Sequence, residues 1–352
     1  LKNPLHVAIA GGGIAGTFLA AALCRLNFRV TLFDVKLPGA SSPVAAGLFN
    51  VITGRNAVKS KMAEEFISNL RGFFSYPGFA AAGKHIHWNP IYRPFHSAGE
   101  QNDWLHRAGK GVTGNFAEFL EEPIMPSQIR NPLGGIMIRG AGWCNVPLLL
   151  SELRHCLIYS FGLVSIPMRV DEFVLLPEKS AIRMGASVLQ YDHLVFAEGA
   201  AVASNPYFPS LPLRPLKGQI AVVHIPGFAP PFAISHGIYI IPIGNFRFLA
   251  GATNELEFSN PDPDEKGAEE ISKGIRSDLL LPFSIESMAA GIRPTTPDRN
   301  PFLGTSPGYS NIHIFNGMGT KSILQGPHFA ELFARYLSGS DEIPPDCDIS
   351  RF

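Results

Sequence analysis

The clearest change of hydrophobic rhythm lies in residues 6–34, where the apolar run HVAIA meets three consecutive glycines and then an apolar stretch long enough for a helix. A second apolar run, RVTLF, follows and ends on Asp34. Short runs without polar alternation predict strands buried on both faces, and IAGTFLAAALCR between them predicts a helix. The segment therefore reads as strand, turn, helix, strand and terminal acid. Gly11 permits the tight turn, Gly13 lets a pyrophosphate approach the backbone, and Gly16 lets the helix pack close to the sheet. The helix begins at Ile14 and Ala15. Its unpaired N–H groups point at the phosphates, while Asp34 offers an acceptor to a ribose diol.

Residues 3–24 contain no Asp, Glu, Lys or Arg, a composition that also suits a leader or a membrane span. Three glycines would interrupt a spanning helix, and a β-rich segment ending in an acid follows at once, so the dinucleotide reading is preferred.

Further along, a small-residue loop over 37–56 precedes a predicted helix over 58–74 with Met62, Phe66, Ile67 and Leu70 on one face. Residues 76–139 are rich in Pro, Gly and aromatics and predict short strands around one helix near 101–107. A strand from 136, a helix over 146–161, strands near 163–166, 169–175 and 181–184, and a buried strand over 194–197 come next. Residues 213–250 alternate in strand fashion and predict a sheet large enough to wall a pocket. The segment 262–281 predicts a helix with acids at its start. A strand up to Arg293, a strand over 311–315, the loop NGMGTKS and a helix over 323–337 complete the pattern. The fold expected is α/β: a discontinuous Rossmann-like domain from 1–75, 140–212 and 286–352, and a β-sheet-rich α+β second domain from 76–139 and 213–285.

Composition narrows the partners. Lys plus Arg and Asp plus Glu are 29 each in 352 residues, so no excess charge points to nucleic acid or an acidic membrane. Cys24, Cys144, Cys156 and Cys347 lack CxxC spacing, which suits reduced thiols in a cytoplasm better than disulfides or a zinc site. His85 and His87 share a face of a short strand at a spacing metals use, but no third ligand lies nearby in sequence and a polar strand face is the preferred reading. No Ser–His–Asp arrangement stands out in the sequence.

Several blocks carry a family likeness: VAAGLF (44–49), AGWCNVP (141–147), VFAEGA (195–200), KGQI (217–220), IYIIP followed by GATNE (up to 255), GIRPTTPDRNPFLG (291–304) and NGMGTKSILQGP (316–327). With the N-terminal fingerprint, they resemble the flavin-dependent D-amino-acid oxidase and glycine oxidase superfamily. That superfamily also holds sarcosine oxidases and the oxidase half of a bifunctional tRNA wobble-uridine enzyme. The likeness spans nearly the whole chain.

The resemblance implies FAD, held without a covalent bond, since no cysteine lies in the GIRPTTPDR block or the NGMGTKS loop. Ala45, Ala46, Gly47 and Leu48 match a loop against which the flavin ring lies. Val170, Ala197, Glu198 and Gly199 match positions near the cofactor, Glu198 being an acid where relatives are often neutral. Gly317, Gly319, Thr320, Lys321, Ser322 and Ile323 match the loop opening the last helix, whose positive end would stabilise an anionic reduced ring. Thr320 stands where glycine oxidase has a second arginine, and Ser322 replaces a usual glycine.

Arg293 matches the arginine that clamps a substrate carboxylate. Read from the residues alone, it also suits an ion pair with Asp298. Tyr239 matches a pocket tyrosine, with a strand-packing tyrosine as the plainer reading, and Asn254 either touches substrate or caps a turn. The implied reaction oxidises the C–N bond of a carboxylate-bearing amino acid or secondary amine by hydride transfer to flavin N5, with oxygen or another acceptor reoxidising the flavin. Two further readings stay open: a carboxymethylaminomethyl uridine of tRNA as substrate, and a flavin-binding protein without turnover. No membrane partner is expected.

Overall fold

The computed structural model describes residues 3–35, 37–53, 58–111, 113–169 and 174–352. A first sheet has six strands in the order Val164–Ile166, Arg29–Phe33, His6–Ala10, His193–Phe196, Tyr309–Asn316 and Phe302–Ser306. Its first five strands are parallel, and the last turns back as a hairpin. His6–Ala10 is buried throughout because both faces are covered. Val7 and Ile9 share a core with the helices Ile14–Arg25, Val146–Phe161 and Ser322–Leu337. Ala8 and Ala10 belong to a second core that includes Ile182 of the small antiparallel sheet Val174–Leu176, Ala181–Met184 and Ser187–Gln190. A strand covered on both faces needs no polar alternation, which explains the unbroken apolar run.

The second sheet has eight strands, ordered Ser284–Thr295, Arg214–His224, Arg247–Gly251, Ile238–Gly244, Ala233–His236, Ile91–Pro94, Gly135–Ile138 and Ala117–Leu120. All neighbours are antiparallel except Ala233–His236 and Ile91–Pro94. Alternation along Ile238–Gly244 sends Ile240 to a core with Ile271 and Ile275 of the helix Glu265–Asp278, and Ile241 to the core of the first sheet's helices. The two longest strands, Arg214–His224 and Ser284–Thr295, pair along their length and reach the first unit, where Ile292 bridges to Ala40.

The α/β class agrees with the sequence reading. The helix expected over 58–74 starts later, as Ala63–Ser75, because Val58–Lys59 pairs with Ile52–Thr53. The buried helical spacing begins only at Ala63 and Phe66, and the first-turn acids Glu64 and Glu65 favour a start there. The helix near 101–107 is longer, Ala98–Gly109, because Ser97 caps it by accepting from the Glu100 N–H at 3.2 Å. Of the strand expected over 169–175, Arg169 lies outside any strand, Val174–Leu176 is a strand, and 170–173 lie outside the described residues. The segment boundary placed at 286 falls inside the strand Ser284–Thr295, which belongs wholly to the second sheet.

Candidate active site

At the end of His6–Ala10 the chain turns at Gly11, whose φ of 105° is in the region that favours glycine. Its N–H donates to the Phe33 carbonyl at 2.8 Å, locking the turn to the neighbouring strand. A Cβ at Gly16 would overlap the Gly11 carbonyl oxygen, so helix and turn approach closely only with glycine there. Ala15 packs beside them against the helical core. Gly13 precedes the helix Ile14–Arg25 without a side-chain cap of its own. Instead the Ser42 hydroxyl, from the loop after the second strand, accepts the Ile14 N–H at 3.1 Å. Asp34 ends that strand with both oxygens engaged: Oδ1 accepts the Gly12 N–H at 2.9 Å, and Oδ2 pairs with Arg154 Nη1 at 2.7 Å.

A cleft enclosing about 680 Å³ of space, part of it open to solvent, lies between this turn and the second sheet. Ile14, Ala45, Ala46, Gly47 and Leu48 line it from the first unit. Gly319, Thr320, Ser322 and Ile323 line it at the start of the last helix, and Gly218, Ile220, Tyr239, Gly291 and Arg293 from the second sheet. A side chain at Gly47 would overlap the Cys144 carbonyl, so this wall stays bare backbone.

Other expected positions lie outside the cleft lining. Ala197 donates its N–H to Ala10 O at 2.7 Å, and its carbonyl sits where a Cβ on Gly11 would fall. Glu198 accepts from Asn205 Nδ2 at 2.8 Å, and the Gly199 carbonyl accepts from Asn316 Nδ2 at 3.0 Å. Gly317, with φ 81°, passes close to Thr296 and Phe302. Lys321 precedes the last helix, its amine held below the usual lysine value first by burial and then by the charge of Arg299. Val170 lies outside the described residues.

Arg293 is the charged side chain in the cleft wall. Its Nη1 donates to Asn254 Oδ1 at 2.8 Å and its Nη2 to the Thr253 carbonyl at 3.3 Å. The guanidinium lies directly over Gly218, where any Cβ would overlap it. The alternative partner, Asp298, is taken by Arg351 at 2.8 Å. No carboxylate of the described residues pairs with Arg293, and burial lowers its pKa. Tyr239 stands near enough to feel the arginine, and burial pushes its phenol up to about 12.

The turn that supports Arg293 is itself tied down. Thr253 Oγ1 accepts the Gln219 N–H at 3.0 Å and donates to Glu255 at 3.0 Å. Gln219 Nε2 bridges Glu255 and Asp264 at 2.8 and 3.0 Å, and the buried Lys217 ammonium lies 3.5 Å from each carboxylate. These acids are thus neutralised away from Arg293.

Ser42, Arg154, Gly218 and Thr253 were not singled out in the sequence. Ser42 sits in an ordinary small-residue loop and Arg154 on a helix otherwise read by its apolar face. Gly218 and Thr253 act through strand neighbours that only sheet pairing supplies.

The sequence model of the DAO family, described as FAD dependent oxidoreductase, matches residues 6–336. The chain is 26% identical over 363 residues to the glycine oxidase of Bacillus licheniformis, covering 97% of this chain and 95% of that one. It is 25% identical over 371 residues to the bifunctional protein ThiO/ThiG of Trichormus variabilis, covering 98% of this chain and 55% of that protein. The chain therefore spans about half the length of that bifunctional relative. The crystal structure of glycine oxidase from Bacillus cereus shares the fold, with a TM-score of 0.80 at 20% identity over 96% of both chains. With the glycine turn, the cleft and the family match on the same residues, this chain belongs to the DAO family of FAD-dependent oxidoreductases.

Proposed function

We propose that the chain oxidises the C–N bond of a small amino acid or secondary amine that bears a carboxylate. The observation that carries this reading is Arg293: a cationic fork in the cleft wall, held by two neutral oxygens and paired with no acid of the described residues. A guanidinium in such surroundings gains most from an anion brought by the substrate, and its planar donors suit a carboxylate.

The residues around the cleft fit FAD. Gly11, Gly13, Gly16, Ile14 and Ala15 would hold the diphosphate at the helix start, where Ser42 adds a hydroxyl. Asp34, oriented by Arg154, would meet the adenosine ribose. Ala45, Ala46, Gly47, Leu48, Ala197, Glu198 and Gly199 would border the cofactor with small side chains and backbone. Gly317, Gly319, Thr320, Lys321, Ser322 and Ile323 would face its ring with a helix N-terminus and a cation, which favour negative charge. Among the described residues, those lining the cleft include no cysteine or histidine, which supports a non-covalent cofactor. Bound there, FAD supplies the acceptor for the two electrons that leave the substrate.

The chain's own part is to bind and orient. Arg293 fixes the carboxylate, and Asn254 fixes Arg293. Tyr239, protonated throughout the working pH range, donates a hydrogen bond or closes the pocket over the amine. A hydride leaves the carbon of the neutral amine, giving an iminium ion that water hydrolyses, so this step needs no side-chain base. Orientation of the reacting carbon is then the main protein contribution to rate. The four unpaired cysteines support a reducing compartment such as the cytoplasm.

The test is anaerobic bleaching of the purified yellow protein by glycine, sarcosine, D-amino acids and L-proline. At least one should bleach it. Arg293→Gln should raise the half-saturating concentration of that substrate by roughly 10- to 100-fold, the loss of charge-assisted hydrogen bonds worth about 1.5–3 kcal/mol, while bound flavin is retained. Bleaching by none of these amines, or an unchanged half-saturation in Arg293→Gln, would overturn the assignment. Bleaching only by tRNA carrying carboxymethylaminomethyl uridine would move the substrate to RNA.

A further inference from the structure

Outside the cleft, at one end of the second sheet, two histidines and two carboxylates meet. The neighbouring strands Ile91–Pro94 and Ala233–His236 run parallel and leave the sheet at the same end, which sets the rings of His96 and His236 with centroids 4.2 Å apart. The helix Glu265–Asp278 ends there and delivers Asp278, whose side chain is 0% exposed. Asp278 Oδ1 lies 2.9 Å from His236 Nδ1 and 3.3 Å from His96 Nε2. The helix Ala98–Gly109 adds Glu100 from its first turn, with Oε1 3.2 Å from His236 Nε2 and 2.9 Å from Arg93 Nη2.

We propose that His96 Nε2, His236 Nδ1 and the Asp278 carboxylate form a binding site for one zinc-class divalent cation, with Glu100 as the outer partner of His236.

Three observations converge on this site. One ligand atom from each of the three residues lies within 4.8 Å of the others. A tetrahedral zinc ion about 2.0–2.1 Å from each donor needs donors roughly 3.4 Å apart, so small side-chain rotations suffice. Hydrogen bonding already orients His96 as a ligand, while His236 shares its Nδ1 proton with Asp278 Oδ1 at 2.9 Å, a proton that an entering ion displaces. His96 bonds to the Arg130 backbone, and because its buried Nε2 has no hydrogen-bond partner, that bond runs through Nδ1 and leaves the Nε2 lone pair facing the cluster. His236 presents Nε2 to Glu100, itself anchored by Arg93, which is the carboxylate–histidine arrangement that orients metal-bound imidazoles. Finally, Asp278 Oδ2 is buried without a partner, on a carboxylate placed at a helix C-terminus where the dipole disfavours negative charge. A cation held by the three residues gives the His96 Nε2 lone pair a partner and neutralises the buried Asp278 carboxylate.

Two imidazole nitrogens and one carboxylate are a donor set for zinc or a neighbouring late transition ion, not for magnesium or calcium, which take oxygen donors. The side chains of His96 and His236 remain 20% exposed, so water can complete the shell and an ion can enter. The site ties together two strands and two helices away from the cleft, and its role is structural.

The experiment uses the flavin-loaded full chain, stripped with chelator, passed through gel filtration and titrated with zinc chloride near neutral pH. Elemental analysis should find one retained zinc ion per chain, and the thermal midpoint should rise on zinc addition. His96→Gln, at a partly exposed position, should abolish retention while the protein keeps its flavin. Glu100→Gln should weaken zinc binding by roughly 10- to 100-fold without changing stoichiometry. The double variant His85→Ala, His87→Ala should retain zinc as the parent does. Absence of retained zinc in the parent, equal retention in His96→Gln, or loss of zinc only in the His85, His87 variant would overturn the proposal.

Discussion

Arg293 depends on a neighbour with no side chain. Gly218 pairs with Gly291 on the strand Ser284–Thr295, two positions from the Leu216–Arg293 pair, and its missing Cβ makes the space in which the guanidinium lies. Gly218→Ala leaves the arginine chemically intact but pushes it from that position. The expected result is a tenfold or larger rise in half-saturation for the carboxylate substrate, about 1.4 kcal/mol or more, with flavin content preserved. Steady-state kinetics with parallel flavin quantitation checks this, and equal half-saturation would show that the guanidinium does not hold the substrate. Arg293 and Asn254 were legible because they stand in recognisable blocks. Gly218 and the Thr253 carbonyl were not, because their part arises where separate strands pair.

Among the elements, the helix Val146–Phe161 shows how far local signals reach. Asn145 precedes it and accepts the Leu148 N–H at 3.2 Å, a proline lies in the first turn, and Gly162 ends it with φ 71°. These signals lie within one turn of either end, and the helix boundaries match the expected 146–161. Removing the cap in Asn145→Ala should lower stability by about 1 kcal/mol, read as a lower urea midpoint at unchanged slope. Its middle carries a role no local signal announces: Arg154 reaches Asp34 across the sheet edge. Conversely, the expected start of the helix at 58 failed because a two-strand pairing, Ile52–Thr53 with Val58–Lys59, took the residues that helical spacing alone would have claimed.

At the scale of the whole molecule, burial of His313 contributes to the response to acid. His313 lies in the buried strand Tyr309–Asn316, 2.9 Å from His193 Nδ1 and 2.9 Å from the Thr305 hydroxyl. Burial first, and then the charge of His193, push its pKa down to about 3 from 6.5. Below 6.5 the unfolded chain takes up a proton that the folded chain refuses, so the unfolded state binds more protons and stability rises with pH across this window. As pH falls from about 6.5 toward 3, His313 therefore costs the fold up to about 1.4 kcal/mol per pH unit. His313→Gln should flatten the pH dependence of the urea midpoint between roughly pH 5 and pH 7, whatever its absolute stability. A slope identical to the parent's would show that this histidine is protonated in the folded state. No helix of the described residues is long and apolar enough to cross a membrane. The apolar stretch after Gly13 packs in the core as the helix Ile14–Arg25.

Short-range physics made much of this legible: strand and helix periodicity, the conformational demands of the glycine turn and the capping of helices act within a few residues, and so they identified the first strand–glycine turn–helix–strand unit, the α/β class and most elements from the chain alone. Only the tertiary structure decided that Asp298 pairs with Arg351 and leaves Arg293 without an acid among the described residues, that Arg154 holds Asp34, and that His96, His236 and Asp278 meet. Such partners are brought together by strand order and long-range packing, and their electrostatics depends on who else is within a few ångströms, which linear spacing does not encode.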